Sequence, residues 1–239
     1  MFDPTKLVRP CIQRRKAYIP GKPLEAVQRE YGLTDIIKLA SNENPLGTSP
    51  LAREAMIDEI RQRAYRYPES QAPRLRTKLA ERHGLSPEGI VLDNGEDAVI
   101  LLIAMTFFNP GDEIVMPEVS FVSFANHTIN MDATPIKIPM RDDYGLDVEA
   151  MAAAITPETK ALFICNPNNP TGMVTSKAAF ETLLAAVPED LLVVSDEAYW
   201  HFVDDPDYPD TVPYLDDHPN LLILRTFSKA YGLAGLRIG

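Results

Sequence analysis

Lys229 stands among residues suited to chemistry on an amine beside a phosphate. Two hydroxyls, Thr226 and Ser228, flank it on one side, and Gly232, Gly235 and the guanidinium of Arg237 follow on the other. Hydroxyls, glycine backbone and arginine suit a phosphate. A lysine in such company suits Schiff-base chemistry, because a nearby cation and a partly dry site lower its pKa toward neutrality. A solvated lysine in a glycine-containing loop would satisfy the same local pattern. Asp196 follows the apolar run Leu191 to Ser195 directly, where a carboxylate is costly to ionise unless a cation or several donors meet it. A turn or N-cap aspartate is the alternative. Asn169 lies in the proline-stiffened turn Asn166 to Gly172, and Tyr199 offers a phenol three residues after Asp196.

The elements that must hold these groups are legible as a rhythm. Ala161 to Cys165, Leu191 to Ser195 and Leu221 to Leu224 are short apolar runs of the kind buried strands make, and each ends in one of the polar clusters. The helical stretch Ser176 to Val187 separates the first two, which implies a βαβ crossover, a parallel sheet, and three clusters opening on one edge. Lys229 then lies past a strand's carboxyl end, where open α/β sheets hold ligands. Further strands are expected at Ile90 to Leu92, Glu113 to Met116 and Thr134 to Ile138. Helices are expected at Leu24 to Tyr31, at Leu51 to Ala64 after a Ser49 cap and Pro50, and at Arg74 to His83 before Gly84. Two more are expected at Ala98 to Phe108 and at Leu146 to Ile155, introduced by Asp147. The start of the first of these, at Gly95 to Ala98, presents unpaired N–H groups as a candidate anion cradle. Residues 1–48, with scattered prolines, read as an arm, and 49–239 as the main domain. The acidic, proline-rich span Asp204 to Asn220 reads as a solvated surface loop.

Composition narrows the partners. A formal charge of −11 and a pI of about 4.8 argue against a nucleic-acid groove or an anionic membrane surface, so a small-molecule substrate is expected. Only Cys11 and Cys165 occur, without partner motifs; neither a disulfide framework nor a metal site is indicated, and a cytoplasmic location is expected. No signal-peptide core appears, and the longest apolar run, Ala98 to Met105, is too short to span a bilayer. Motifs for nicotinamide, nucleoside-triphosphate, zinc-protease and serine-hydrolase chemistry are absent.

An amine, a carboxylate, an amide, a phenol and an anion cradle form the set that pyridoxal 5'-phosphate requires. The chain resembles the fold-type I pyridoxal-phosphate-dependent aminotransferases (class I/II), and within them the histidinol-phosphate aminotransferase group. The resemblance runs from about Pro20 onward. It rests on Lys38 to Gly47 (KLASNENPLG), Tyr67-Pro68-Glu69, Asn94 to Asp97 (NGED), Asn166 to Gly172 (NPNNPTG), Asp196 to Tyr199 (DEAY) and Ser228 to Gly239 (SKAYGLAGLRIG).

This resemblance implies an α/β domain with a mostly parallel sheet flanked by helices, and transamination between histidinol phosphate and 2-oxoglutarate. An aromatic amino-acid aminotransferase or a threonine-phosphate decarboxylase of the same fold would share these motifs. Carried over by motif, Lys229 takes the cofactor's aldehyde and later shuttles the substrate proton. Asp196 pairs with the ring nitrogen, Asn169 and Tyr199 bond the ring oxygen, and Phe121 stacks on the ring, a core phenylalanine being the other reading of that residue. The phosphate lies on the backbone of Gly95, Glu96 and Asp97, closed by Ser228 and Arg237. Tyr67 reaches the neighbouring subunit's phosphate, implying a homodimer.

Two departures from the family pattern stand out. Glu96 replaces a small, often hydroxylated residue, and its carboxylate would repel a phosphate unless it turned outward. The family also continues past the equivalent of Gly239 into a small C-terminal domain that carries an arginine for the substrate carboxylate. The chain is therefore expected to be truncated, with a non-catalytic folded module as the rival of another class.

Overall fold

Apolar runs bounded by turn residues become strands here because helices cover both faces of the sheet, which removes any need for polar alternation. The computed structural model describes residues 3–15 and 21–239; Pro20, where the resemblance is expected to begin, lies outside the described residues. Five parallel strands, β1 (Glu113–Pro117), β2 (Thr134–Ile138), β3 (Thr159–Cys165), β4 (Leu192–Asp196) and β5 (Leu221–Leu224), lie in the order β2-β1-β3-β4-β5. In chain order the helices are α1 (Pro10–Gln13), α2 (Leu24–Tyr31), α3 (Pro50–Arg63) and α4 (Pro73–His83), then α5 (Glu96–Phe107), α6 (Val122–Asn130), α7 (Val148–Ala153) and α8 (Lys177–Ala186).

Strand alternation divides the core into two layers. Ile114, Met116, Phe163, Cys165 and Val194 pack with Ile100, Ile103 and Phe124 of α5 and α6. Val115, Leu162, Ile164 and Val193 pack with Met151, Phe180 and Leu183 of α7 and α8. Each such side chain, once buried, contributes about 1.5–3 kcal/mol, which is what holds the short helices in place. Asp147 and Ser176 cap α7 and α8, accepting from the amides of Ala150 at 2.9 Å and Ala179 at 3.3 Å. Gly84 ends α4 in the left-handed region.

Several expectations need correction. Ile90 to Leu92 is not a strand: pairing begins only after it, where Asp93 bonds Gly239 and Asn94 forms an antiparallel bridge to Ile238, so the segment stays without a ladder. Ser49 occupies the N-cap of α3 but makes no side-chain cap bond. Helix α6 carries no sequence expectation; Ser, Asn, His and Thr are weak helix formers, and burial of Phe124 and Thr128 against the sheet holds it. The 204–220 span is anchored as well as solvated: Tyr208 donates to the Asn166 carbonyl at 2.8 Å, and Thr211 is buried against Glu197. Among the described residues no helix is long and apolar enough to cross a membrane.

Candidate active site

The register Cys165↔Asp196↔Leu224 aligns the ends of the three central strands, so the polar clusters that follow them open side by side. Asp196 shares the α5-facing parity of Val194 and Cys165. Only 2% exposed, it accepts from the Ala198 amide at 3.0 Å. Burial raises its pKa, opposed by the contact with Glu96, the Ala198 amide and the charge of Lys229.

Glu197 turns the other way. Its Oε2 receives Nε and Nη2 of Arg225 at 3.0 and 2.8 Å, and its Oε1 receives the hydroxyls of Ser195, at 3.2 Å, and Thr211. Arg225 in turn lies over the Trp200 ring at 4.2 Å. This buried pair ties together the ends of β4 and β5 and the 204–220 loop, and so fixes the backbone that carries Asp196.

Lys229 is half-buried. Its Nζ donates to the Ser41 carbonyl at 3.0 Å and sits 5.4 Å from the centre of the Tyr199 ring. Burial lowers its pKa, while the charges of Glu96, Glu43 and Asp196 act in the opposite sense. The Tyr199 hydroxyl accepts from Asn42 Nδ2 at 2.9 Å. The arm thus folds across the strand ends, with Ser41 and Asn42 both at positive φ. It is pinned further by Asn44 donating to the Ala230 carbonyl at 3.0 Å and Thr48 to that of Gly232 at 2.7 Å. None of these arm contacts is a sequence expectation; the run Ser41-Asn42-Glu43-Asn44, polar and ending at a proline, is the signal that could have found them.

The anion cradle is built at the start of α5. Gly95 is the N-cap at φ +82°, no side chain caps the helix, and the guanidinium of Arg237 lies where a Cβ on Gly95 would go. Arg237 also donates to the Ala234 carbonyl at 3.1 Å. Ser228 is buried, its hydroxyl receiving that of Thr226 at 2.9 Å. Gly95→Ala is expected to displace Arg237 and to cost about 1–3 kcal/mol for the positive φ alone, a loss that a urea midpoint would register. Asp97 is turned aside by its side chain: Oδ1 accepts from Ser123 and from His127 at 3.2 Å, contacts that depress its pKa, that of His127 most. Only its backbone faces the cradle. Glu96 takes the direction that its sequence setting left open. Its side chain turns inward rather than outward, 8% exposed, and its carboxyl meets that of Asp196.

Asn169 and Tyr199 line one cavity of about 440 Å³ together with Asn42 and Asn168. Phe121 is the N-cap of α6, half-buried, with its ring edge-on to Phe124 at 5.8 Å, so its position is compatible with both readings of it. Tyr67 is not brought into this cluster. It is fully exposed and lines a separate groove between α3 and α4.

A lysine, a buried acid, a phenol and a glycine–arginine cradle on the carboxyl edge of a parallel sheet define a class of protein. The family model for aminotransferase class I and II matches residues 34–239, and the chain belongs to that family. It is 46% identical over 228 residues to the histidinol-phosphate aminotransferase of Brevibacillus brevis, covering 95% of this chain and 62% of that one. To the Moorella thermoacetica histidinol-phosphate aminotransferase it is 47% identical over 232 residues, 97% of this chain and 60% of that one. Its fold matches the crystal structure of histidinol-phosphate aminotransferase from Sinorhizobium meliloti in complex with pyridoxal-5'-phosphate, with a TM-score of 0.85 at 30% identity, over 97% of this chain and 61% of that one. The chain spans about three fifths of the length of the curated relatives it matches.

Proposed function

We propose that this protein is a pyridoxal-phosphate-dependent aminotransferase that exchanges an amino group between histidinol phosphate and 2-oxoglutarate, giving imidazole acetol phosphate and glutamate. The observation that carries the reading is Lys229: a half-buried amine at the strand edge, within reach of the charge of a buried Asp196 and flanked by a cradle that a single Cβ at Gly95 would obstruct.

The donor set fits the cofactor. The amides of Glu96 and Asp97 at the start of α5, with Ser228 and Arg237, suit its phosphate, and that of Gly95, which donates to the Asp93 carbonyl at 2.7 Å, would have to turn to join them. Asp196 suits the ring nitrogen, Asn169 and Tyr199 the ring oxygen, and Phe121 a ring face. When bound, pyridoxal phosphate supplies an electron sink for negative charge at the substrate's α-carbon. Lys229, its pKa lowered by burial, spends more time as the neutral amine and can accept and return the α-proton. Asp196 is buried at the end of β4, where its charge, when ionised, acts most strongly on a neighbouring cation. Residues 1–48 serve as an arm over the main domain 49–239. A homodimer in which Tyr67 reaches the neighbouring subunit's phosphate, and a cytoplasmic location, complete the proposal.

Borohydride reduction of the purified protein with pyridoxal phosphate, followed by peptide mapping, tests it. The label is expected at Lys229 and nowhere else; a label on another lysine overturns the assignment. Substrate profiling with histidinol phosphate against aromatic amino acids checks the substrate.

A further inference from the structure

Glu96 belongs to the cradle by its backbone, yet its side chain leaves it. The first residue of a helix is ordinarily a good place for an exposed acid, which complements the helix dipole. Glu96 is instead 92% buried, its carboxyl within hydrogen-bonding reach of Asp196, and its Oε1 is buried with no partner. Two ionised carboxylates in contact, both out of water, repel strongly, and one proton held between them removes the repulsion. The surroundings decide where that proton sits. Asp196 has a further donor in the Ala198 amide, whereas among the described residues Glu96 Oε1 has none. Burial and the charges of Asp196 and Glu197 disfavour ionised Glu96, and Lys229, which favours it, is itself only half-buried. Arg237 lies over Gly95 and is exposed to solvent.

We propose that Glu96 is a positioning residue for Asp196: the two carboxyls share one proton, carried by Glu96 and donated to an Asp196 oxygen. The pair then holds a single negative charge, oriented by Glu96 on one side and by the Ala198 amide on the other. Its role toward a cofactor ring rests on the reading of Asp196 given above; the pair itself does not.

The test is a carboxyl titration of the full chain without added cofactor, with glutamate side-chain carboxyls labelled with carbon-13. Beside the buried Glu197, whose burial also raises its pKa, one glutamate is expected to stay protonated after the others have titrated. Its resonance should vanish in Glu96→Gln, and in Asp196→Asn its titration should move down, because the neighbouring charge is gone. Once the Glu197 resonance is set aside, identified by its loss in Glu197→Gln, all glutamates titrating together, a high-titrating resonance that survives Glu96→Gln, or one unmoved by Asp196→Asn would each overturn the proposal. The wild-type and Asp196→Asn arms need no change at residue 96, so they decide the matter even if Glu96→Gln fails to fold. Borohydride labelling after pyridoxal phosphate is added to the same samples separates the two ideas. A shared proton without Lys229 labelling keeps the pair and sinks the cofactor assignment, and labelling without a shared proton does the reverse.

Discussion

Asp196→Asn is expected to lower turnover per folded molecule by at least about 10²–10³-fold, the loss seen when one preorganised electrostatic partner is removed from an active site. The size follows from where the side chain sits. Asp196 is 2% exposed at the end of β4, so no water takes over the role of its charge. Asparagine keeps the shape and the oxygen that accepts the Ala198 amide at 3.0 Å. Stability should therefore change by only about 1 kcal/mol, the net worth of one hydrogen bond. Steady-state turnover normalised to folded protein, alongside a urea denaturation curve, distinguishes the outcomes. A variant that unfolds readily yet turns over normally when folded would make Asp196 a structural turn residue.

The neighbouring acid should behave in the opposite manner. Glu197→Ala is expected to cost about 3–5 kcal/mol of stability, because it strands a largely buried Arg225 without its partner. Glu197 is 1% exposed and satisfies four donors: two from Arg225 and the hydroxyls of Ser195 and Thr211. All four lose their acceptor together. Removing both partners, Glu197→Ala with Arg225→Ala, should cost less than the two single changes added, by about 1 kcal/mol or more. A Glu197→Ala midpoint close to wild type would show that the pair adds nothing to the fold.

These two acids also show what can be read from sequence. Strands β1 to β5 were legible because a sheet covered on both faces writes itself as short apolar runs, and their polar ends marked the site edge. Helices α5, α7 and α8 followed from apolar content, with Asp147 marking the start of α7. Helix α6 was not legible, since packing of Phe124 rather than propensity makes it helical. The same limit hid the direction of Glu96: its sequence setting left both directions open, and its contact is with Asp196, 100 positions later. The contacts of Ser41 and Asn42 with Lys229 and Tyr199 span more than 150 residues, so the polar run 41–44 marks the segment but not what it touches.

The pairing of Asn94 with Ile238, with the amide of Asp93 donating to the Gly239 carbonyl at 3.0 Å, has a consequence in time. During synthesis at about 5–20 residues per second, Gly95 leaves the ribosome roughly 7–30 seconds before its far partner. Over that interval the start of α5 lacks the guanidinium that packs on it, and the extended segment before it has no strand to lie against. Parallel sheets made of distant segments are slow to close. The anion cradle thus cannot form until residues 237–239 have been made, and a chaperone or a nascent-chain protease meets it before then in its unfinished state.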